Sequence, residues 1–128
     1  MSGAIKIEDL ASTIAEELGN YGRNVTDEFK RQVRSVAKET VQTIRSASPK
    51  NTGEYASGWT SKVAFESDED IRVTVYNRKK PQLTHLLEHG HAKASGGRIE
   101  GKPHIGPAEQ AAEKKLLKKV KVVVKGDS

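Results

Sequence analysis

The strongest chemical suggestion in this chain lies in five consecutive residues, His85-Leu86-Leu87-Glu88-His89. Their order is that of the H-x-x-E-H inverted zinc peptidases, in which two imidazoles hold the metal and the glutamate serves as general base. Residues four apart share one face of a helix, so His85 and His89 meet the first geometric requirement. A hydrolytic zinc also needs a third protein ligand and a scaffold that encloses substrate. A chain of 128 residues shared among a hairpin and a few helices supplies little of either. Three fixed positions in five also recur by chance. The expectation is therefore no catalytic residue and no cofactor, with zinc hydrolysis through His85, Glu88 and His89 as a rival reading. His91 and His104 complete the set of candidate metal ligands with His85 and His89. Without a cysteine beside them, the four read as polar residues of a helix edge and a loop.

Other chemistry is sparse. The absence of cysteine excludes disulfides, thiolate metal sites and cysteine nucleophiles. No serine stands in a nucleophile-elbow context, and Gly96-Gly97 lacks the Gly-Lys-Ser/Thr ending of a phosphate-binding loop. One tryptophan, three tyrosines and two phenylalanines are too few to build a base-stacking surface among the lysines. Charge is more informative. Residues 78–128 carry 12 basic against 5 acidic side chains, whereas residues 1–77 carry 10 against 12. The second half therefore attracts phosphate or an acidic protein surface. Arg78, Lys79, Lys80, Lys118 and Lys119 are the candidates to face such a partner, and the bland alternative is a solvated lysine face. A small, non-specific DNA-binding protein is the first rival that follows.

These residues need elements to position them. Ile7, Leu10, Ala11, Ile14 and Leu18 fall at helical spacing over residues 7–18, ended by Gly19, so residues 1–25 form a helix or a docking arm. Thr26 is read as the N-cap of a longer helix to residue 47, whose stripe is Phe29, Val33, Val36, Ala37, Val41 and Ile44. Trp59, Val63 and Phe65, then Ile71, Val73 and Val75, alternate across the polar turn Ser67-Asp68-Glu69-Asp70, which predicts a β-hairpin over 59–77. A hairpin alone is marginal in water, so the long helix must cover its apolar face. A short helix follows at 82–89, broken at Gly90. Residues 91–104, with three glycines, a proline and three cations, form an exposed loop. The last helix opens at Gly106-Pro107 and runs over 107–121, burying Ala108, Ala112, Leu116 and Val120. Val122-Val123-Val124 fits a short strand as well. The fold class is α+β, with residues 26–128 as one domain. Only 34% of the residues are hydrophobic, a thin core that favours support from neighbouring subunits. No stretch approaches the ~20 apolar residues of a membrane span, and no secretory signal opens the chain, so the cytoplasm is where it is expected to be made.

Three segments carry a family resemblance: Ser48-Pro49-Lys50-Asn51-Thr52-Gly53-Glu54-Tyr55-Ala56-Ser57-Gly58-Trp59, then Leu83 to His91, then Gly96-Gly97-Arg98 through Pro103-His104-Ile105-Gly106-Pro107-Ala108-Glu109. In this order they resemble the bacteriophage tail-component family named after the tenth gene product of a lambdoid coliphage, over roughly residues 26–120. Gly53, Trp59, Glu88, Gly90, Pro103 and Pro107 carry the likeness and are read as structural. The likeness recasts the H-x-x-E-H match as a variant of the family's glutamate-glycine element. The departures are the additional histidines and the long segment from Ala92 to Lys102. The resemblance implies a virion structural protein without enzymatic activity, acting in head–tail joining or tail completion at the neck. It implies a homo-oligomeric ring, six- or twelve-fold, between a portal-side connector, adaptor or stopper and a tail terminator or tail tube protein, with double-stranded DNA passing through and no membrane partner. His91, Lys93, Arg98, Lys102 and His104 are then the expected subunit or partner contacts.

Overall fold

The computed structural model describes residues 5–6, 23–50 and 53–125; the helix expected over 7–18 lies outside them. In chain order the elements are β1 (Ile5–Lys6), α1 (Arg23–Ala47), α2 (Glu54–Ser57), β2 (Trp59–Glu66), β3 (Ile71–Asn77), a 3-10 turn (Pro81–Leu83), α3 (Thr84–His89), β4 (Gly90–Ala92), β5 (Arg98–Glu100) and α4 (Ile105–Lys125). This is the expected α+β arrangement.

The long helix forms because its apolar residues recur at helical spacing, and the predicted stripe from Phe29 to Ile44 is buried. It begins three residues before the expected cap. Thr26 is therefore an interior residue, 8% exposed, and not an N-cap. At the other end Ser48 closes the helix: its hydroxyl donates to the Ile44 carbonyl and accepts from the Trp59 indole N–H at 3.0 Å. One side chain thus ties the helix end to the first residue of β2.

β2 and β3 pair antiparallel, and β1 adds to the far side of β3, giving the order β1-β3-β2. The central strand alternates as predicted, with Ile71, Val73 and Val75 buried toward α1. β2 departs from the prediction. A bulge between Val63 and Phe65 slips the register by one residue, so Phe65 lies opposite Arg72 instead of joining the face of Trp59. Its ring packs beneath the Arg72 guanidinium, 5.2 Å from centroid to Cζ, and both Val63 and Phe65 remain about half exposed. Salt bridges from Lys30 and Arg34 to Glu66, and a hydrogen bond from Lys30 to the Ser67 carbonyl, hold the far end of the hairpin to α1.

α4 lies across α1 with Ala108, Ala112 and Leu116 buried, two small residues that permit close approach. Pro107 falls within its first turn, and Val122 to Val124 continue the helix instead of forming a strand. The segment expected as a loop over 91–104 is also more ordered than predicted. Its first part forms a second, two-stranded hairpin with Gly90 opposite Glu100 and Ala92 opposite Arg98. Gly96 and Gly97, at φ 97° and 81°, supply the left-handed conformations of its turn. No helix among the described residues is long and apolar enough to cross a membrane.

Candidate functional site

The sequence placed Glu88 in a peptidase-like motif; the fold gives it other work. Its Oε1 accepts hydrogen bonds from the backbone amides of His104 at 2.7 Å and Ile105 at 2.8 Å, and its Oε2 accepts from Gly106 at 3.0 Å. These are the opening amides of α4, which have no partner within the helix. A carboxylate at that position also complements the positive end of the helix dipole. Glu88 is only 9% exposed. Burial pushes its pKa up, but the amides of Ile105, Gly106 and His104, with the nearby imidazole, more than offset this and hold the carboxyl below its ordinary 4.5. These bonds commit the carboxylate to the start of α4.

His104 completes a buried clasp. Expected on the exposed loop and at a subunit contact, it is instead 0% exposed, because the chain turns inward after Pro103 to start α4. Its Nδ1 lies 2.7 Å from the Lys102 carbonyl and 3.0 Å from Glu88 Oε1. Neither neighbour carries a hydrogen, so Nδ1 is the donor. Nε2 faces the Tyr55 hydroxyl at 2.6 Å, which donates to it when the ring is neutral. Burial, and then the Glu88 charge, push the Tyr55 phenol well above its ordinary value. The rings of Tyr55, Trp59 and His104 meet edge to face, with centroids 5.5 to 6.2 Å apart.

Two further contacts extend the clasp to the surface. The Asn77 amide donates to the Tyr55 carbonyl at 2.7 Å, while its carbonyl oxygen accepts from the amides of Lys79 at 3.2 Å and Lys80 at 2.9 Å. This fixes the basic corner Arg78-Lys79-Lys80. On the other side, the Lys102 amide donates to the Leu87 carbonyl at 2.8 Å, and the Arg98 guanidinium donates to the His89 carbonyl. Gly90 and Gly101 pass each other so closely that a Cβ on Gly101 would stand 2.4 Å from the Glu88 carbonyl oxygen. The second hairpin is thus rooted by backbone contacts in the clasp.

His85 and His89 do share a face of α3, with ring centroids 4.8 Å apart, and both are exposed. With Glu88 and Glu109 they line a cleft of about 270 Å³ between α3 and α4. His91 sits on β4, its Nδ1 buried without a hydrogen-bond partner, and His104 lies in the core. Among the described residues no three His, Asp or Glu side chains are placed to hold a metal ion. Lys93, Arg98, Lys102 and Pro103 are exposed on or beside the second hairpin, Arg78 and Lys79 on the corner, and Lys118 on α4, with Lys119 half-buried. Gly53 adopts φ 85° before α2, and Trp59 is fully buried.

Tyr55, Asn77 and Gly101 were not singled out by the sequence. Tyr55 lies within the segment that carries the family likeness, but nothing local ties it to His104, 49 residues away. Asn77 could have been suspected as a polar residue continuing the buried alternation of Ile71, Val73 and Val75.

Residues 12–90 match the model of the family described as "Bacteriophage HK97-gp10, putative tail-component". This is more than half of the chain, and the protein belongs to that family, a class of bacteriophage structural proteins. The match starts nearer the N-terminus than the quoted motifs and ends at Gly90, so the third motif, Gly96 to Glu109, lies beyond it. No curated protein and no solved structure matches the chain significantly.

Proposed function

We propose that the chain is a ring-forming virion subunit at the head–tail interface, needed to complete the tail or join it to the DNA-filled capsid. The observation that carries this reading is the second hairpin. It presents Lys93, Arg98 and the half-exposed Ile99 to solvent, yet its base is locked into the buried polar cluster of Glu88 and His104. Rigid anchoring of an exposed, charged element lowers the entropy lost when it is held by a partner. Family membership supports the virion setting and a structural role. The ring is six- or twelve-fold, seated between a portal-side connector, adaptor or stopper and a tail terminator or tail tube protein. His91, Lys93, Arg98 and Lys102 contact neighbouring subunits; Arg78, Lys79, Lys80, Lys118 and Lys119 face an acidic neighbour or the passing DNA.

Electron microscopy of particles assembled without this protein tests the reading. Filled heads and separate tails are expected; intact, infectious virions would overturn it. Binding of the isolated chain to duplex DNA across a salt series separates the DNA-binding rival, which requires tight binding with a steep salt slope.

A further inference from the structure

With Glu88 bound to the start of α4, the two histidines of the H-x-x-E-H pattern remain together on the surface. His85 and His89 stand four residues apart on α3, both exposed, with ring centroids 4.8 Å apart and planes tilted by 50°. Among the described residues neither ring is engaged in a hydrogen bond or ion pair, and each has the other as its neighbour. Two such rings can touch through helical spacing alone, so their separation decides. An ion held by two imidazole nitrogens at about 2.0–2.1 Å, at an angle between square and tetrahedral, brings the ring centroids to roughly 4.5–5.2 Å. The pair stands within that range.

The support beneath the rings is rigid. At one end of α3 the Thr84 hydroxyl donates to the Pro81 carbonyl at 2.9 Å. At the other, the Leu87 and His89 carbonyls accept from the Lys102 amide and the Arg98 guanidinium. Glu88, between the histidines, is fastened to the amides of residues 104–106. Two ligands on a backbone held in this way lose less entropy when they capture an ion. The cleft also has the right sign. Glu88 and Glu109 line it with the histidines, and no lysine or arginine does. The charge of Glu88 is balanced by the helix end it caps, whereas Glu109 is exposed and, among the described residues, without an ion pair. Arg98 donates to the His89 carbonyl but is not part of the lining. Among the described residues no third His, Asp or Glu is placed to close a cage, so the other positions of the ion fall to water or to a donor from a neighbouring molecule. Imidazole anchors of this kind suit zinc, nickel or copper; calcium and magnesium require oxygen ligands.

We propose that His85 and His89 form a two-imidazole chelate for a divalent transition ion of the zinc, nickel or copper class, open on its outer side to a further donor. The site does not depend on the ring reading and stands or falls apart from it. Isothermal titration of zinc chloride into the full-length, tag-free chain tests it, at about pH 7.5, where free imidazole is largely neutral. One ion per chain is expected, held more tightly when cupric ion replaces zinc and not displaced by magnesium. Because the second ligand acts intramolecularly, His85→Ala and His89→Ala should each weaken binding at least roughly tenfold, while His91→Ala should bind as the natural chain does. In nuclear magnetic resonance of the natural chain, zinc should shift the ring protons of His85 and His89 together and leave those of buried His104 in place. Amide spectra of the variants that match the natural chain away from α3 show that the fold is kept. Absence of saturable zinc binding, binding that magnesium displaces, unchanged affinity in either α3 variant, or an equal loss in His91→Ala would each overturn the chelate, as would zinc shifts that bypass His85 and His89.

Discussion

The two hairpins of this molecule are held by opposite means. The first, β2–β3, is stabilised by side chains: Ile71, Val73 and Val75 are buried beneath α1, and removal of that apolar surface from water supplies the energy. The second, β4–β5, has no such face, since all of Ala92 to Glu100 is exposed. Its order comes from its base, where Gly90 and Gly101 cross and the side chains of Glu88 and His104 bind the backbone of residues 102–106 that follows. A core hairpin tolerates a poor surface; a surface hairpin requires an exact root. The difference explains why a glutamate in a catalytic-looking motif serves as a helix cap.

The largest effect should come from the root. Glu88→Ala leaves three amides at the start of α4 without their acceptor, at about 1 kcal/mol or more each, and is expected to destabilise by roughly 4 kcal/mol in urea unfolding. Glu88→Gln should cost less and should also change the acid limb. Because the folded-state pKa of Glu88 lies below its ordinary 4.5, its contribution is complete above that value and lost as the pH falls through the folded-state pKa. The gap in melting temperature between natural chain and Gln variant should therefore be constant above about pH 4.5 and shrink as the pH falls below it toward the folded-state pKa. A constant difference across pH would contradict the capping role.

Ile71→Ala attacks the first hairpin through its core and should cost about 3 kcal/mol, with the second hairpin's base unaffected in amide exchange. Gly101→Ala drives a methyl group toward the Glu88 carbonyl and should cost about 2 kcal/mol, a loss that the same substitution at Asn77 or Tyr55 cannot reproduce by crowding. Smallest of all, K93E should alter stability by no more than about 0.5 kcal/mol. A large loss there would mean that the tip, and not only the root, supports the fold.

The first hairpin and the long helix were legible because periodicity records burial directly: Ile71, Val73 and Val75 alternate, and Phe29 to Ile44 recur with the helical turn. The bulge was not. Ala64 carries no signal of turn or breaker, and only the pairing with Arg72 shows that Phe65 has crossed to the other face. The second hairpin had no periodicity to read, because everything from Ala92 to Glu100 is exposed. The clasp was illegible for a different reason. Glu88 caps amides 16 to 18 residues away, and histidine is as compatible with a loop as with a core. Spacing alone made Glu88 look catalytic, and the likeness to the tail-component family was the clue that it is structural.

Glu88 should fasten the second hairpin to the fold through the opening amides of α4. Amide hydrogen exchange, followed residue by residue in the natural chain and in Glu88→Ala under native conditions, measures this directly. Protection at Ile105, Gly106 and the β4–β5 pairs should collapse in the variant while that of α1 and β3 falls only with global stability. Unchanged protection at Ile105 and Gly106, or a uniform loss across the whole molecule, would contradict it.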